Sequence, residues 1–232
     1  MIHIIGGSSE GSLGQAIAKI AHQDGCSSRV YGPNSKHKHD VSTWNPNIWI
    51  DLLGTETLEE FVSVIYCAGH MELRSLATID QHVIESHFEI NTWQLFWLAK
   101  AAALQASTDP KKVRIVYISS ASHRHPVSHN SVYAASKAAS TQAMRCFARE
   151  LRDIKNLSFV TLSPGFFNSS MYDQYVRSLV AREEAGDLPD GQAEWLASWT
   201  MSNKDPAAFA YWLASLAPMS LSGSVLDIGQ LP

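Results

Sequence analysis

The stretch MIHIIGGSSEGSLGQAIAKIA, residues 1–21, joins a short apolar run, a glycine-rich loop and a helical pattern. Residues 1–5 are rich in β-branched side chains, and they stop at Gly6 and Gly7, which is typical of a strand. In residues 13–21 the apolar side chains recur every three or four positions, as on one face of a helix. This order predicts the start of a doubly wound α/β sheet, in which nucleotides bind at the first turn.

The rest of the chain repeats the alternation. Further strands are predicted at 29–31, 47–53, 62–67, 113–118, 157–162 and 225–228, and helices at 88–106 and 132–151, with a short one at 55–61. Continuous β-branched runs between helices indicate parallel strands that are buried on both faces. We therefore expect a single α/β domain over residues 1–232, with helices on both faces of the sheet. Residues 170–204 lack strand character and are predicted to be helices that cover the substrate.

The composition excludes several classes of protein. Of the 232 residues 45% are hydrophobic and 17% are charged, as in globular domains, and the net charge of -4 does not favour nucleic acid or a membrane surface as a partner. Three separate cysteines, Cys26, Cys67 and Cys146, argue against a disulfide framework. No apolar run reaches the roughly 18 residues of a spanning helix, and no signal segment is expected. We expect a cytoplasmic protein that acts on a small molecule.

Tyr133 and Lys137 are the strongest candidates for chemistry. Residues four apart share a face of a helix, and a neighbouring cation lowers the pKa of a tyrosine from its ordinary value of about 10. Ser120 follows the predicted strand 113–118, at the end of the sheet where doubly wound folds bind ligands. Tyr133 and Lys137 are thus a candidate acid–base pair, and Ser120 is a candidate neighbour of a ligand.

The motifs, taken in order, resemble those of the short-chain dehydrogenase/reductase family. The matching pieces are Gly7, Gly11 and Gly14, then Asp51–Leu52, Ala68–Gly69, Asn91, Ser119–Ser120, Tyr133 with Lys137, and residues 164–169. They span nearly the whole chain. The resemblance implies a Rossmann-type parallel sheet of about seven strands and an oxidoreductase that interconverts a carbonyl and an alcohol with a nicotinamide cofactor.

The resemblance also implies roles for individual residues. Tyr133 would exchange the proton, Lys137 would lower the pKa of that tyrosine and bind the nicotinamide ribose, Ser120 would bind the substrate oxygen, and Asn91 would hold a water. Asp51 would meet the adenine amine. The implied cofactor contacts are Tyr133, Lys137, Gly7, Ser9, Gly11, Ser12, Leu13, Asn34, Asp51, Leu52, Cys67, Ala68, Gly69, Pro164, Gly165, Phe166 and Ser169.

Two positions depart from the family pattern. The glycine loop is one residue longer than usual, with Ser12 in place of the middle glycine when Gly14 is taken as the last. An alternative alignment through Gly6 and Ser12 resembles enoyl-reductase relatives, but those space their tyrosine and lysine more widely. Cys67 stands where the family usually has an asparagine that supports the cofactor.

The residues after the second predicted strand bear on the choice of cofactor. A carboxylate there would bind the ribose 2′-hydroxyl of NAD(H) and repel a 2′-phosphate. Residues 32–36 contain no acid, and Asn34, Ser35 and Lys36 are hydrogen-bond donors. We therefore expect NADP(H), with NAD(H) as the alternative.

Histidine pairs at His37 and His39, and at His123 and His125, lack carboxylate or cysteine partners at a defined spacing, so we predict no metal site. Two other functions stay open: an isomerase, lyase or epimerase with no net redox change, and a non-catalytic cofactor sensor. The intact set of Ser120, Tyr133 and Lys137 argues against the sensor.

The two long helices predict self-association. Helices 88–106 and 132–151 carry apolar side chains on more than one face. One face covers the sheet, and the surplus favours a homodimer or homotetramer. The surplus residues are Trp93, Phe96, Trp97, Met144 and Phe147.

Overall fold

The computed structural model describes residues 1–35, 40–54, 60–125, 128–198, 200–202 and 204–229. Within these residues six strands form one parallel sheet in the order β2-β1-β3-β4-β5-β6. The strands are β1 Ile2–Ile5, β2 Ser28–Tyr31, β3 Phe61–Tyr66, β4 Lys112–Ile118, β5 Leu157–Pro164 and β6 Val225–Ile228.

Helices cover both faces of this sheet. They are α1 Leu13–Gln23, α2 Pro46–Gly54, α3 Gln81–Phe88, α4 Gln94–Thr108, α5 Ser131–Glu150, α6 Ser170–Glu184, α7 Gln192–Ser198 and α8 Lys204–Ser215. α1 and α8 pack with one face, around Ile17 and Leu213. α2, α4 and α5 pack with the other, around Trp49, Leu98 and Met144. The prediction of a parallel α/β sheet with helices on both faces is confirmed.

The predicted strand at 47–53 is wrong, because this stretch is helix α2. The side chain of Asn45 accepts from the backbone N–H groups of Asn47 and Ile48, at 3.0 and 3.4 Å, and Pro46 is the first helical residue. The buried side chains of α2 are Trp49, Leu52 and Leu53, which is helical spacing. This accounts for six strands where about seven were expected.

The strand order reverses at β1, which has β2 on one side and β3 on the other. A crevice therefore opens beyond the carboxyl ends of β1 and β3. The backbones approach closely there: a Cβ on Gly6, whose φ is +82°, would lie 2.5 Å from the Cα of Ala68. Only glycine fits this position.

The long helix predicted at 88–106 is interrupted. A π-helical turn, Glu89–Trp93, joins α3 to α4, and Asn91 within it is fully buried. Such turns are frequent at functional sites. The helix predicted at 132–151 is α5, and the stretch 170–204 contains α6 and α7.

The surplus apolar surface is smaller than predicted. Met144 and Phe147 are buried against the sheet, so they contribute to the core and not to an outer face. Trp93, Phe96 and Trp97 are 45%, 47% and 39% exposed. Several predictions concern residues outside the described ranges: Lys36, His37, His39 and most of the short helix at 55–61. None of the described helices is long and apolar enough to cross a bilayer.

Candidate active site

A cavity of about 420 Å³ lies over the carboxyl ends of the strands. Its floor is formed by the residues that follow β1, β2, β3, β4 and β5, and α5 and α6 form its walls. It brings together fifteen of the predicted site residues: Gly7, Ser9, Ser12, Leu13, Asn34, Cys67, Ala68, Gly69, Ser120, Tyr133, Lys137, Pro164, Gly165, Phe166 and Ser169.

The glycine loop is held tightly against the start of α1. A Cβ on Gly14 would lie 2.6 Å from the carbonyl oxygens of both Gly6 and Gly7, so this contact requires glycine. Ser12 is the N-cap of α1: its hydroxyl accepts from the N–H of Gln15 and donates to the carbonyl oxygen of Gly7. The position read as a replaced glycine is therefore a helix cap.

This loop fits the pyrophosphate of a dinucleotide. Ser9, Ser12 and Leu13 line the cavity where α1 begins, and the N-terminus of a helix offers unpaired N–H groups and a positive dipole end to an anion. Gly11 has a φ of +73° and does not line the cavity, so the structure does not place it with the other predicted cofactor contacts. Its glycine serves the turn instead.

Tyr133 and Lys137 lie on one face of α5 and both reach the cavity. The Lys137 Nζ donates to the carbonyl oxygen of Ile118 over 2.9 Å, and it lies 5.0 Å from the ring centroid of Tyr117 and 5.7 Å from that of Tyr133. Ser120 follows β4 beside them, and its hydroxyl accepts from the N–H of Ser122 at 3.2 Å. The helix and the strand end thus place three polar side chains in one wall.

Burial decides the protonation of this group. It raises the pKa of Tyr133 to about 12, against a lowering by the Ser120 hydroxyl. It lowers the pKa of Lys137 to about 8, against a raising by Cys67. Burial is the largest influence on Tyr133, so the phenol is protonated at neutral pH. That Lys137 lowers the pKa of Tyr133 stays a prediction.

Sequence comparison agrees with this geometry. A sequence model of the short chain dehydrogenase family matches residues 55–179, more than half of the chain. The chain belongs to the short-chain dehydrogenase family. Members of this family are NAD(P)H-dependent oxidoreductases, and this chain is an enzyme of that class.

Solved structures show the same fold at low sequence identity. ElxO with NADP bound is 15% identical, with a TM-score of 0.76 over 98% of this chain and 96% of that one. A variant short-chain dehydrogenase/reductase from Serratia marcescens is 18% identical, with a TM-score of 0.75 and coverage of 98% and 95%. A short chain dehydrogenase family protein from Francisella tularensis is 16% identical, with a TM-score of 0.74 and coverage of 98% and 96%. No curated protein sequence matches this chain.

The predicted adenine contacts of this dehydrogenase need correction. Asp51 and Leu52 lie on α2, where Asp51 is exposed and Leu52 is buried in the core, and neither lines the cavity. Asp40 and Val41, which sequence reasoning missed, line it instead. Asp51–Leu52 matched the family's acidic–apolar pair only because 47–53 was taken for a strand; Asp40–Val41 is the same pair eleven positions earlier.

Asn91 holds protein groups together and does not line the cavity. Its Nδ2 donates to the carbonyl oxygen of His70 and to the Ser136 hydroxyl, both at 2.9 Å, and its Oδ1 accepts from the His70 N–H at 2.8 Å. Its carbonyl oxygen accepts from the hydroxyl of Ser140 at 2.6 Å. Asn91 thus clamps the backbone that follows Gly69, and its implied role of holding a water stays a prediction.

Cys67 lines the cavity at the position where the family has asparagine. Burial raises the pKa of its thiol to about 12, against a lowering by Lys137. The thiol is thus protonated at neutral pH. A reactive thiolate is not formed at this position.

Helix α6 covers the cavity and is tied to two loops. Arg182 donates to the Nδ1 of His129 at 3.3 Å and to the carbonyl oxygen of Leu73 at 3.0 Å. Beneath it, Tyr175 and Leu179 pack with Leu73 in a small apolar cluster. The sequence predicts a helical cover over residues 170–204, but it does not predict which of its side chains reach the cavity. Those that do are Ser170, Met171, Tyr172, Gln174 and Tyr175.

Metal ligands are not grouped at this site. Among the side chains that the structure describes, no three from histidine, cysteine, aspartate and glutamate are placed to hold an ion. The ring of His123 donates from Nδ1 to the carbonyl oxygen of Ser120 at 2.7 Å, so it braces the strand end instead.

Proposed function

We propose that this short-chain dehydrogenase is an NADP(H)-dependent carbonyl reductase or alcohol dehydrogenase that uses Ser120, Tyr133 and Lys137. The observation that supports this most is the convergence of these three side chains in one cavity wall, next to a glycine loop that fits a pyrophosphate. When bound, the reduced cofactor supplies the hydride. The protein must then stabilise and protonate the oxygen on which negative charge develops.

Tyr133 is the proton donor in carbonyl reduction. Its phenol is protonated at neutral pH because burial raises its pKa to about 12. Ser120 lies beside it and donates a second hydrogen bond to the same substrate oxygen. Lys137 holds positive charge next to both, and its ammonium is the group that would bind the ribose hydroxyls. In alcohol oxidation the reaction runs in reverse, and the deprotonated Tyr133 acts as the base that accepts the proton of the alcohol.

The residues that would hold the cofactor follow the strand ends. Ser9, Ser12 and Leu13 at the start of α1 would bind the pyrophosphate, and Ala68 and Gly69 would pass beside the ribose of the nicotinamide half. Pro164–Ser169, where β5 ends, would line the nicotinamide. Asp40 and Val41 would flank the adenine.

The preference for NADP(H) rests on the end of β2. Gly32, Pro33 and Asn34 line the cavity there, and none carries a charge that repels a 2′-phosphate. The carboxylate of Asp40 also lines the cavity, but it accepts from the N–H and hydroxyl of Ser42 at 2.9 and 2.7 Å and so is engaged in its own turn. The structure of ElxO, which has a similar fold, contains bound NADP.

We also propose a homodimer formed through α4 and α5. Trp93, Phe96 and Trp97, three and four positions apart where α4 begins, are each exposed by 39–47%, and exposed apolar side chains that cluster in this way mark interaction sites. Phe96 packs edge-on against Phe147 of α5, with ring centroids 5.0 Å apart, so the surface joins the two helices.

The test is substrate-dependent oxidation of NADPH by the wild-type enzyme and by Tyr133→Phe. The variant keeps the ring and loses only the hydroxyl, so we expect unchanged NADPH affinity and a loss of turnover of about 10²–10⁴-fold. NADPH should exceed NADH in kcat/KM, and Asn34→Asp should reduce that ratio. Full activity in Tyr133→Phe would refute the mechanism, and a preference for NADH would refute the cofactor assignment.

A further inference from the structure

The part of the cavity beneath α6 is apolar and aromatic. Met71, Phe166 and Met171 line it, together with Tyr172 and Tyr175 from the first turns of α6. The rings of Phe166 and Tyr175 are stacked, with an interplanar angle of 11° and centroids 6.4 Å apart. These side chains form an apolar wall in the same cavity as Tyr133.

Charge is scarce around this space. Among the described residues that line the cavity, only Asp40 and Lys137 are charged. Asp40 lies on the β2 side, near Trp44, whose ring contacts Tyr31 at 6.0 Å. The Lys137 ammonium is bound to the carbonyl oxygen of Ile118 and is needed beside Tyr133. A carboxylate or phosphate on the substrate would therefore be desolvated beneath α6 without a counter-charge, which is costly.

Two tyrosines of α6 differ in what their hydroxyls do. The Tyr172 hydroxyl accepts a hydrogen bond from the hydroxyl of Thr200. Tyr175 is 5% exposed, and in the described part of the chain its hydroxyl has no hydrogen-bond partner. Its oxygen is not one of the fully enclosed polar atoms, so the hydroxyl is open to the cavity and can donate to a ligand there. The ring is fixed by Leu73, Leu179 and Phe166, so the hydroxyl keeps its place in the cavity.

The Tyr175 hydroxyl shares this space with the proton donor. Burial, with smaller electrostatic contributions from Tyr172 and Tyr133, raises the pKa of Tyr175 to about 12. The phenol is therefore a neutral donor at the pH of the cell, and it faces the same cavity as Tyr133.

We propose that the substrate is an uncharged, largely apolar carbonyl compound with a second oxygen, and that this oxygen accepts a hydrogen bond from Tyr175. The inference rests on the proposed reductase function, because Tyr133 must bind the reacting carbonyl. Tyr175 then acts as a specificity-determining residue, because it favours substrates with an oxygen that accepts a hydrogen bond from its hydroxyl. The uncharged side chains beneath α6 disfavour substrates with a carboxylate.

Three probes separate these features. Methyl benzoylformate has a ketone and an uncharged ester, 2,2,2-trifluoroacetophenone has an activated ketone without a second oxygen, and benzoylformate carries a carboxylate. Dissociation constants on the NADP⁺ complex and kcat/KM with NADPH are to be measured for the wild type, Tyr175→Phe and Tyr172→Phe. The binding arm does not depend on turnover, so a failed reductase and a failed specificity residue give different results.

In Tyr175→Phe we expect methyl benzoylformate to bind roughly 3- to 10-fold more weakly, the worth of one neutral hydrogen bond, with trifluoroacetophenone unchanged within twofold. Tyr172→Phe should leave the ratio between these two probes unchanged, because its hydroxyl is already satisfied by Thr200. Wild-type enzyme should bind benzoylformate at least tenfold more weakly than its methyl ester.

Other results overturn the proposal. The specificity role fails if Tyr175→Phe leaves the ratio between the two probes unchanged, or if Tyr172→Phe changes it equally. The description of the substrate fails if benzoylformate binds tightly or if its methyl ester does not bind. If the probes bind as expected but none oxidises NADPH in a Tyr133-dependent way, the proposed reductase function fails while the binding specificity stands.

Discussion

The ammonium of Lys137 donates to the carbonyl oxygen of Ile118 over 2.9 Å, which ties α5 to the carboxyl end of β4. This bond and the ring faces of Tyr117 and Tyr133 are what stabilise a cation that is 3% exposed. They offset desolvation only in part, because the pKa of Lys137 remains lowered from 10.5 to about 8. A buried charge that lowers the folding stability of the protein is typical of a functional group.

Replacing this lysine should therefore stabilise the protein while removing its activity. The drop in pKa from 10.5 to about 8 corresponds to roughly 3 kcal/mol of destabilisation below pH 8. Lys137→Met also loses the bond to Ile118, so we expect a net gain of about 1–2 kcal/mol at pH 7 by urea unfolding.

The pH dependence of that gain follows from linkage. Between pH 8 and 10 the unfolded chain keeps the proton on Lys137 while the native protein releases it, so wild-type stability should rise with pH in this window. Lys137→Met should lack this rise, and Lys100→Met on the exposed side of α4 should keep it. A destabilised Lys137→Met at pH 7 would contradict the account.

Carbonyl reduction should decline above about pH 8, and the group responsible should be Lys137. Tyr133 stays protonated far above this range because burial raises its pKa to about 12, whereas Lys137 loses its charge near 8. The measurement is kcat/KM for reduction from pH 6 to 10. In Lys137→Arg, whose guanidinium keeps its proton, the residual activity should not fall in this window. An unchanged fall in that variant would assign the titration to another group.

Much of the fold could be predicted because apolar runs mark the buried parallel strands. The run Ile48–Ile50 misled the prediction, since a β-branched pair around a tryptophan fits a strand and a buried helix equally well. Asn45 and Pro46 decide for a helix, because an asparagine cap followed by proline is typical of a helix start, and both residues are visible in the sequence.

The site was predictable only where a motif fixes it. Ser120, Tyr133 and Lys137 lie together as their spacing implies, and Asp40–Val41 was missed because a similar pair, Asp51–Leu52, occupies a plausible position. The protonation of the site could not be predicted, because it depends on burial by distant elements. The same holds for Tyr175, which reaches the cavity through the packing of α6.

The exposed aromatic surface of α4 predicts a dimer that charge disrupts. Trp93→Glu with Trp97→Glu should dissociate the protein, because the two indoles lie about one turn apart at 45% and 39% exposure. Sedimentation equilibrium at micromolar concentration should give the mass of a monomer for the double variant. Val180→Glu on α6 provides the control and should keep the wild-type mass. A monomeric wild type would refute the proposal.

Asn91 should prove to be a positioning residue whose loss costs stability first. Asn91→Leu leaves the N–H and carbonyl oxygen of His70 and the hydroxyl of Ser136 without their partners. Buried groups left unpaired cost about 1–3 kcal/mol each, so we expect a loss of at least 3 kcal/mol in thermal or urea unfolding.

The same clamp should be visible in cofactor binding. His70 follows Gly69, which lines the cavity beside the Lys137 ammonium, so release of this backbone should also raise the dissociation constant of NADPH. Asn91→Asp keeps the acceptor for the His70 N–H and loses both donors, and it should fall between the wild type and Asn91→Leu in both measurements. If Asn91 served only to hold a water, the free energy of unfolding of Asn91→Leu would lie within about 1 kcal/mol of the wild-type value. This variant would then bind NADPH as tightly as the wild type, and only its turnover would be reduced.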